Sequence, residues 1–371
     1  MRIQLLYAPD HRRFVQPDLL RQETTMELLK RLTELPGVPG REERVRDFLK
    51  DYARRMFDEQ RVDAMGNLIC RKAPGCKPPR SQKPKKVMIA CHMDEIGFYV
   101  SAIDDSGRLR VANVGGFDAR TLFARRVLVQ GRKDLVGVLM PATKPTHVLT
   151  EEERKKIPQI NEFFVDLMID VKKVRSMVEV GDPVTLLQET VVIGEAYVGK
   201  AMDNRVASWV ALNAIEKVGR RSPHEIYYVG TTQEEVGLRG AGTGAFGLEP
   251  DVAICIDVTL ACDTPGVPPE DRISQFGKGV AIKVMDSSVI CDRNLVDELV
   301  ALAKRRKIPY QLEVLPRGGT DTAAMQRARG GIRSMAISVP CRYVHTVVEA
   351  VHKKDLQAAV DLLAAWLTTS R

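Results

Sequence analysis

Two textures alternate along the chain. Residues 25–52, TMELLKRLTELPGVPGREERVRDFLKDY, place apolar side chains at helical spacing on both sides of 36–40. That predicts two amphipathic helices, broken where proline and glycine cannot continue one. Residues 1–24 show no period and read as a loose N-terminal extension. Residues 87–91 form a short apolar run of the kind that fills a central strand, and it ends directly in HMDEIG.

From 98 to 193 the pattern changes to short β-like runs with glycine turns, such as RLRVANVGG, RRVLVQG and DLVGVLM, interrupted by the charged stretch EEERKKIPQ. This predicts a β-rich inserted domain. Beyond 199 helical and extended periods alternate: a helix over 204–218, strands over 226–231 and 252–258, a helix over 294–305 and a strand over 311–315. A helix over 321–328, a strand over 332–339 and a last helix with Leu356, Val360, Leu363 and Leu367 on one face complete the series. Such alternation predicts an α/β body, residues 25–97 and 194–371, with helices on both faces of one central sheet. Ligands of such sheets gather at the C-terminal ends of the strands.

Composition narrows the class. At 371 residues the chain exceeds the size at which one core usually stops growing, in keeping with a main domain plus a smaller one. An apolar share of 44% with 28% charged residues excludes a disordered or collagen-like chain. The net charge of +8 is spread among interleaved acidic residues and aromatics reach only 5%, so no nucleic-acid partner is expected. The densest basic stretch, RKAPGCKPPRSQKPKK at 71–86, carries four prolines and reads as an exposed loop. Seven cysteines without a CxxC pair indicate neither a disulfide framework nor a cysteine zinc site, and fit mostly buried, reduced thiols. The N-terminus lacks an apolar leader core and no apolar run approaches the roughly 18 residues of a membrane span. A soluble, cytoplasmic protein without a membrane partner is the expectation.

Chemistry concentrates where acidic and histidine side chains follow apolar runs: CHMDE at Cys91, KAMDNR at Lys200, TTQEEVG at Thr231, CIDVT at Cys255 and YVHTVVE at Tyr343. Each alone is weak, since a strand-end carboxylate is usually a helix cap or a surface charge. Converging on one end of one sheet, they supply an imidazole and carboxylate set suited to zinc, cobalt or manganese. His92 and Asp94 lie two apart, so on extended backbone they point the same way. Asp94 can then receive the imidazole nitrogen that faces away from a metal. Glu234 and Glu235 diverge, so that one can ligate while the other faces a substrate water. Asp203 precedes a helix and also reads as its N-cap. Asp257 closes the apolar run DVAICID, where a carboxylate needs a cation or backbone donors to receive it.

These segments resemble the M42 metallo-aminopeptidases, dinuclear zinc-type peptidases that include glutamyl, leucyl, lysyl and deblocking enzymes. The resemblance runs in order through MELLKRLTELPGVPGREERVRDFL, DAMGNLI, ACHMDEIGF, VGGFDAR, GDPV, GKAMDNRV, TTQEEVGLRGA, IDVTLACDTPG, GGTDTAAMQRARGGI and VHTVVEAVHKKDL. It implies two divalent metal ions per chain, zinc or cobalt with manganese as an alternative. His92 and Asp257 would hold one ion, Glu235 and His345 the other, with Asp203 bridging them. Glu234 would be the general base, Asp94 would orient His92, and the bond from Asp203 to Asn204 would be cis. Arg317, Gly318, Gly319, Thr320 and Asp321, the RGGTD loop, would line the pocket for the first side chain of a peptide substrate. The resemblance also implies a mixed central sheet interrupted by a β-barrel-like dimerisation domain, and assembly as dimers and tetrahedral dodecamers. The extension 1–24, the basic stretch, and FFVDLMID where a glycine usually follows the aspartate depart from the family pattern.

Two other readings stand beside this one. Some proteins of the family are labelled endoglucanases, and a glycosidase would need two carboxylates flanking a glycosidic bond without a metal. A non-catalytic assembly scaffold could also keep the fold.

Overall fold

A computed structural model of the chain describes residues 25–78 and 83–369. The expected extension over 1–24 and residues 79–82 of the basic stretch lie outside the described residues. Helices α1 (Thr25–Glu34) and α2 (Glu43–Tyr52) precede strands β1 (Glu59–Val62), β2 (Leu68–Lys72) and β3 (Lys86–His92). Six strands follow: β4 (Gly97–Ile103), β5 (Leu109–Val114), β6 (Arg125–Gln130), β7 (Asp134–Pro141), β8 (Phe163–Asp166) and β9 (Pro183–Leu186). Short helices α3 (Glu151–Lys155) and α4 (Val171–Met177) lie between them. The chain continues through β10 (Val191–Ile193), β11 (Ala196–Gly199), α5 (Met202–Val218), β12 (Glu225–Thr231), α6 (Arg239–Leu248), β13 (Val252–Leu260) and β14 (Val280–Met285). It ends with α7 (Arg293–Arg306), β15 (Tyr310–Val314), α8 (Asp321–Gln326), β16 (Arg333–Arg342), β17 (Glu349–His352) and α9 (Lys353–Leu367).

The class is the expected one. A mixed sheet of 11 strands has the order β1-β2-β12-β3-β13-β16-β17-β11-β10, with β14 beside β16 and β15 beside β14, and β4 to β9 close into a barrel. Strands β12, β3, β13 and β16 run parallel and therefore share one C-terminal edge. Their sequences read as continuous apolar runs because both faces are covered. Alternate residues serve opposite faces: Val87, Ile89 and Cys91 join the core with α5 and α9, while Met88 and Ala90 join the one under α6 and α8. Helix α5 is buried almost all round, with Val206, Val210, Leu212 and Ile215 in that larger core.

The barrel has its own interior of Phe98, Val100, Leu109, Val111, Val127, Val129, Leu139, Phe163, Val165 and Val184. Val347, from the turn before β17, is packed into the same interior and ties that turn to the barrel. The short strand β10 already pairs with β11 in the main sheet. Strand β13 runs on to Leu260, past the expected end at 258, because Val258, Thr259 and Leu260 keep pairing with Val339, Pro340 and Cys341 of β16. Cys70, Cys91, Cys255, Cys291 and Cys341 are buried thiols, Cys262 is partly buried and Cys76 is exposed. Among the described residues no helix is long and apolar enough to cross a membrane.

The edge is braced from below by Asn67. Its side-chain oxygen accepts the Thr232 N–H at 3.0 Å, and its amide donates to the Gly240 carbonyl at 2.9 Å and to Asp63 Oδ2 at 2.7 Å. Helix α6 approaches so closely that a Cβ at Gly240 would lie 2.5 Å from the main-chain N and O of Thr232, and closer still to Asn67 Oδ1. Gly240→Ala is therefore expected to cost about 1–3 kcal/mol of stability by overpacking. A lower denaturant midpoint at unchanged slope checks this.

Candidate metal centre

Each of the five expected ligands leaves the parallel edge or a turn beside it. His92 is the last residue of β3 and stands in register with Thr231, the last of β12. Glu234 and Glu235 follow three and four residues after Thr231, in a turn where Gln233 takes a left-handed φ of 56°. Asp257 lies within β13, opposite Ser338 of β16. Asp203 stands at the start of α5, where its own backbone and that of Asn204 are non-helical, and the bond between them is cis. His345 occupies the turn between β16 and β17, with φ of 63°.

The side chains meet. His92 Nε2 lies 3.1 Å from Asp203 Oδ1 and 3.9 Å from Asp257 Oδ1. On the other side, His345 Nε2 lies 3.5 Å from Asp203 Oδ2 and 3.3 Å from Glu235 Oε1. Three groups have donor atoms within 4.8 Å of one another: His92, Asp203 and Asp257; Asp203, Glu235 and His345; and His92, Glu234 and Glu235. Glu234 Oε2 is 4.0 Å from His92 Nε2. The barrel roofs the cluster through the loop after β5. A Cβ at Gly115 would come 3.2 Å from Glu235 Oε2, and one at Gly116 would come 3.5 Å from His345 Nδ1.

Carboxylates behind the cluster hold its backbone. Asp94 accepts the Glu234 N–H through Oδ1 at 3.1 Å and the Glu235 N–H through Oδ2 at 3.0 Å. Spacing suggested that this carboxylate receives the His92 ring, but Nδ1 lies nearer the Asp94 main-chain oxygen, 3.1 Å against 3.5 Å to Oδ1. Glu349 accepts the amides of Asp203 and His345. Glu42 Oε1 accepts the N–H groups of Gly40 at 2.8 Å and Gln233 at 3.1 Å. Lys200 Nζ donates to both oxygens of Glu95, at 2.8 and 2.7 Å, and Glu95 also accepts the Gly37 N–H. Glu95, Lys200 and Glu349 lie in segments that the sequence singled out but received no role there, and Glu42 drew no notice. The one signal for Glu349 was a carboxylate enclosed by Val347, Val348, Ala350 and Val351.

Burial pushes the Glu234 carboxyl well above the usual range, with Asp257, Asp321 and Glu235 adding to the rise against the opposing pull of His92. Burial likewise raises Asp257 and Glu235. Burial alone would depress His345, but hydrogen bonds to Asp203 and Glu235 outweigh it and push it up to about 12. Asp203 is held low despite its burial by His345 and His92. Like-charged carboxylates this close cannot all ionise without a counter-charge. Two imidazoles and several carboxylates facing one small volume form a nitrogen and oxygen donor set that fits divalent zinc, cobalt or manganese.

The RGGTD loop divides. Arg317, Gly318 and Gly319 are exposed, whereas Thr320 and Asp321 are buried. Asp321 Oδ2 accepts the Thr231 hydroxyl at 2.5 Å, beneath the centre, and Thr320 donates to Thr322 at 2.9 Å.

The family and relatives of the chain make it a peptide hydrolase. The chain belongs to the M42 glutamyl aminopeptidase family, whose model matches residues 66–362. It is similar to the lysyl aminopeptidase of Pyrococcus furiosus, with 32% identity over 92% of this chain and 96% of that one. Among solved structures it is similar to an aminopeptidase from the archaeon Desulfurococcus kamchatkensis, with a TM-score of 0.86 and 36% identity, covering 93% of this chain and 94% of that one. It is also similar to the TET1 peptidase of Pyrococcus horikoshii, described as assembling into a tetrahedron or a large octahedral shell. That likeness has a TM-score of 0.79 and 31% identity, over 92% of this chain and 99% of that one.

Proposed function

We propose that the chain is a dinuclear metal-dependent aminopeptidase that removes N-terminal residues from peptides, with Glu234 as general base. The observation that carries this reading is a pair of donor groups sharing one residue: His92, Asp203 and Asp257 beside Asp203, Glu235 and His345. His92 and Asp257 would hold one ion, Glu235 and His345 the other, and Asp203 both. When bound, the two divalent cations would supply Lewis-acid polarisation of the scissile carbonyl and of the attacking water.

The chain's own residues do the rest. Glu234 stays out of the ligand set, although it also groups with His92 and Glu235, takes the proton of the attacking water and returns it to the leaving amine. Asp94 fixes the backbone of both glutamates through one carboxylate, so the base and its neighbouring ligand keep a constant separation. A free substrate amino terminus is accommodated by the carboxylate cluster, which confines cleavage to the first peptide bond. The exposed Arg317, Gly318 and Gly319 border the pocket for the first side chain, where glycine permits close approach of backbone. The buried Thr320 and Asp321 secure that loop from below. A glycosidase needs no histidine-containing donor groups of this kind.

Self-association is part of the proposal. The inserted domain would form the dimer contact, and Phe123, Val136, Met140, Val148, Ile157 and Met168 of that segment are exposed. The relation to a tetrahedron-forming peptidase supports a larger assembly built from such dimers.

A panel of aminoacyl anilides with zinc, cobalt and manganese tests the activity. Cleavage that stops with chelator, with carboxymethyl cellulose left intact, is expected; the reverse pattern overturns the reading. His345→Ala is expected to lower the metal content from two ions per chain to one. Elemental analysis still finding two would remove His345 from the ligand set.

A further inference from the structure

Glu349 opens β17, 2% exposed, in register with Gly199 of β11, the strand that leads to Asp203. Its two oxygens go to two different parts of the centre. Oε2 accepts the Asp203 N–H at 3.0 Å, and Oε1 accepts the His345 N–H at 2.7 Å. These amides belong to segments that no nearby stretch of chain connects: the irregular start of α5 and the turn between β16 and β17. That turn carries two non-glycine residues in left-handed backbone, Tyr343 at φ 59° and His345 at φ 63°. Side chains seldom adopt this conformation unless the surroundings impose it. Val347, buried in the barrel interior, holds one end of the turn, and the Glu349 carboxylate holds His345 itself.

We propose that Glu349 is a positioning residue for the metal centre, fixing Asp203 and His345 at the separation at which both reach one cation. The proposal rests on the dinuclear reading above. A carboxylate is required because both groups facing it are donors, and only a carboxylate accepts through two equivalent oxygens. Glutamine would accept one N–H and turn its own amide hydrogens toward the other. Asp94 treats Glu234 and Glu235 in the same manner, so two carboxylates, each spanning a pair of main-chain amides, lie behind the side of the cluster that carries Glu235 and His345.

The test uses the full chain stripped of metal and titrated with Co2+ alone, following stoichiometry, affinity and visible absorption, with the melting temperature of the metal-free protein measured in parallel. The wild type is expected to take two Co2+ per chain. Glu349→Gln is expected to weaken one of the two positions by about 10- to 100-fold, the range for partners that orient metal ligands, and to alter its absorption while the other position stays within about twofold. Glu349→Asp, which keeps the charge but cannot span both amides, is expected to fall between them. Two positions of wild-type affinity and absorption in Glu349→Gln overturn the proposal. So does an equal weakening of both that merely follows a lowered melting temperature, because that is what a general staple of the fold produces. Should the glutamine variant not fold, hydrogen exchange on the metal-free wild type decides. The Asp203 and His345 amides are expected to exchange at least about tenfold more slowly than an open turn, and exchange at the open-turn rate overturns the assignment. A wild type that takes up no Co2+ overturns the dinuclear reading and this proposal with it.

Discussion

Glu234→Gln is expected to lower kcat by roughly 10²- to 10⁴-fold, the contribution of a positioned general base, while leaving metal content at two ions per chain. The substitution is nearly isosteric, and the Glu234 backbone N–H is held by Asp94 whatever its side chain carries. The donor groups His92, Asp203, Asp257 and Asp203, Glu235, His345 do not use it. The fold should therefore persist, and the loss should appear in kcat with KM little changed. Steady-state kinetics beside elemental analysis of the same preparation checks it. If turnover stays within about threefold of wild type, another group takes the proton. If metal is lost along with activity, Glu234 is a ligand in the third donor group rather than the base.

Asp203→Asn is expected to have the largest effect of all, a fall on the order of 10⁴-fold or more toward the uncatalysed rate. Asp203 alone belongs to both donor groups of the proposed centre, with Oδ1 near His92 and Oδ2 near His345. An amide offers one acceptor oxygen in place of two and removes a charge that faces both imidazoles. The variant should retain at most one ion per chain, in contrast to His345→Ala, which should keep the position formed by His92, Asp203 and Asp257. Two ions in Asp203→Asn would mean that the sites do not share this residue.

Much of the layout was legible because the central strands are buried on both faces, which writes them into the sequence as apolar runs. A histidine or carboxylate after one such run is weak evidence alone, but five such segments converging on one sheet edge are not, and His92, Asp257 and the pair Glu234 and Glu235 stood out for that reason. The continuation of β13 past Val258 was not legible, since it depends on a neighbour, β16, some eighty residues later in the chain. Nor was the divided edge of β16, shared by β14 and β17, which is a property of tertiary packing.

The residues behind the ligands were hidden for a related reason. Glu349 contacts Asp203 across a sequence separation of 146 residues and Lys200 contacts Glu95 across 105, so each looks like an ordinary surface charge in its own segment. Asp94 shows the limit of local spacing: two residues from His92, its carboxylate lies 3.5 Å from the imidazole as expected, but the amides of Glu234 and Glu235, which it also receives, come from a distant segment. Asp321, at the end of the RGGTD loop, accepts the Thr231 hydroxyl beneath the centre, a contact across 90 residues that no local pattern announces.

The claim that these residues form a two-metal peptidase is tested most directly by stripping the full-length protein of metal and restoring Zn2+ or Co2+ stepwise, with bound metal and leucyl, glutamyl and lysyl anilide hydrolysis measured on the same samples. The account predicts no hydrolysis without metal, binding that saturates at two ions per chain, and activity that returns as the second position fills. Undiminished hydrolysis by the metal-free protein, or saturation at a single ion with full activity, would contradict it.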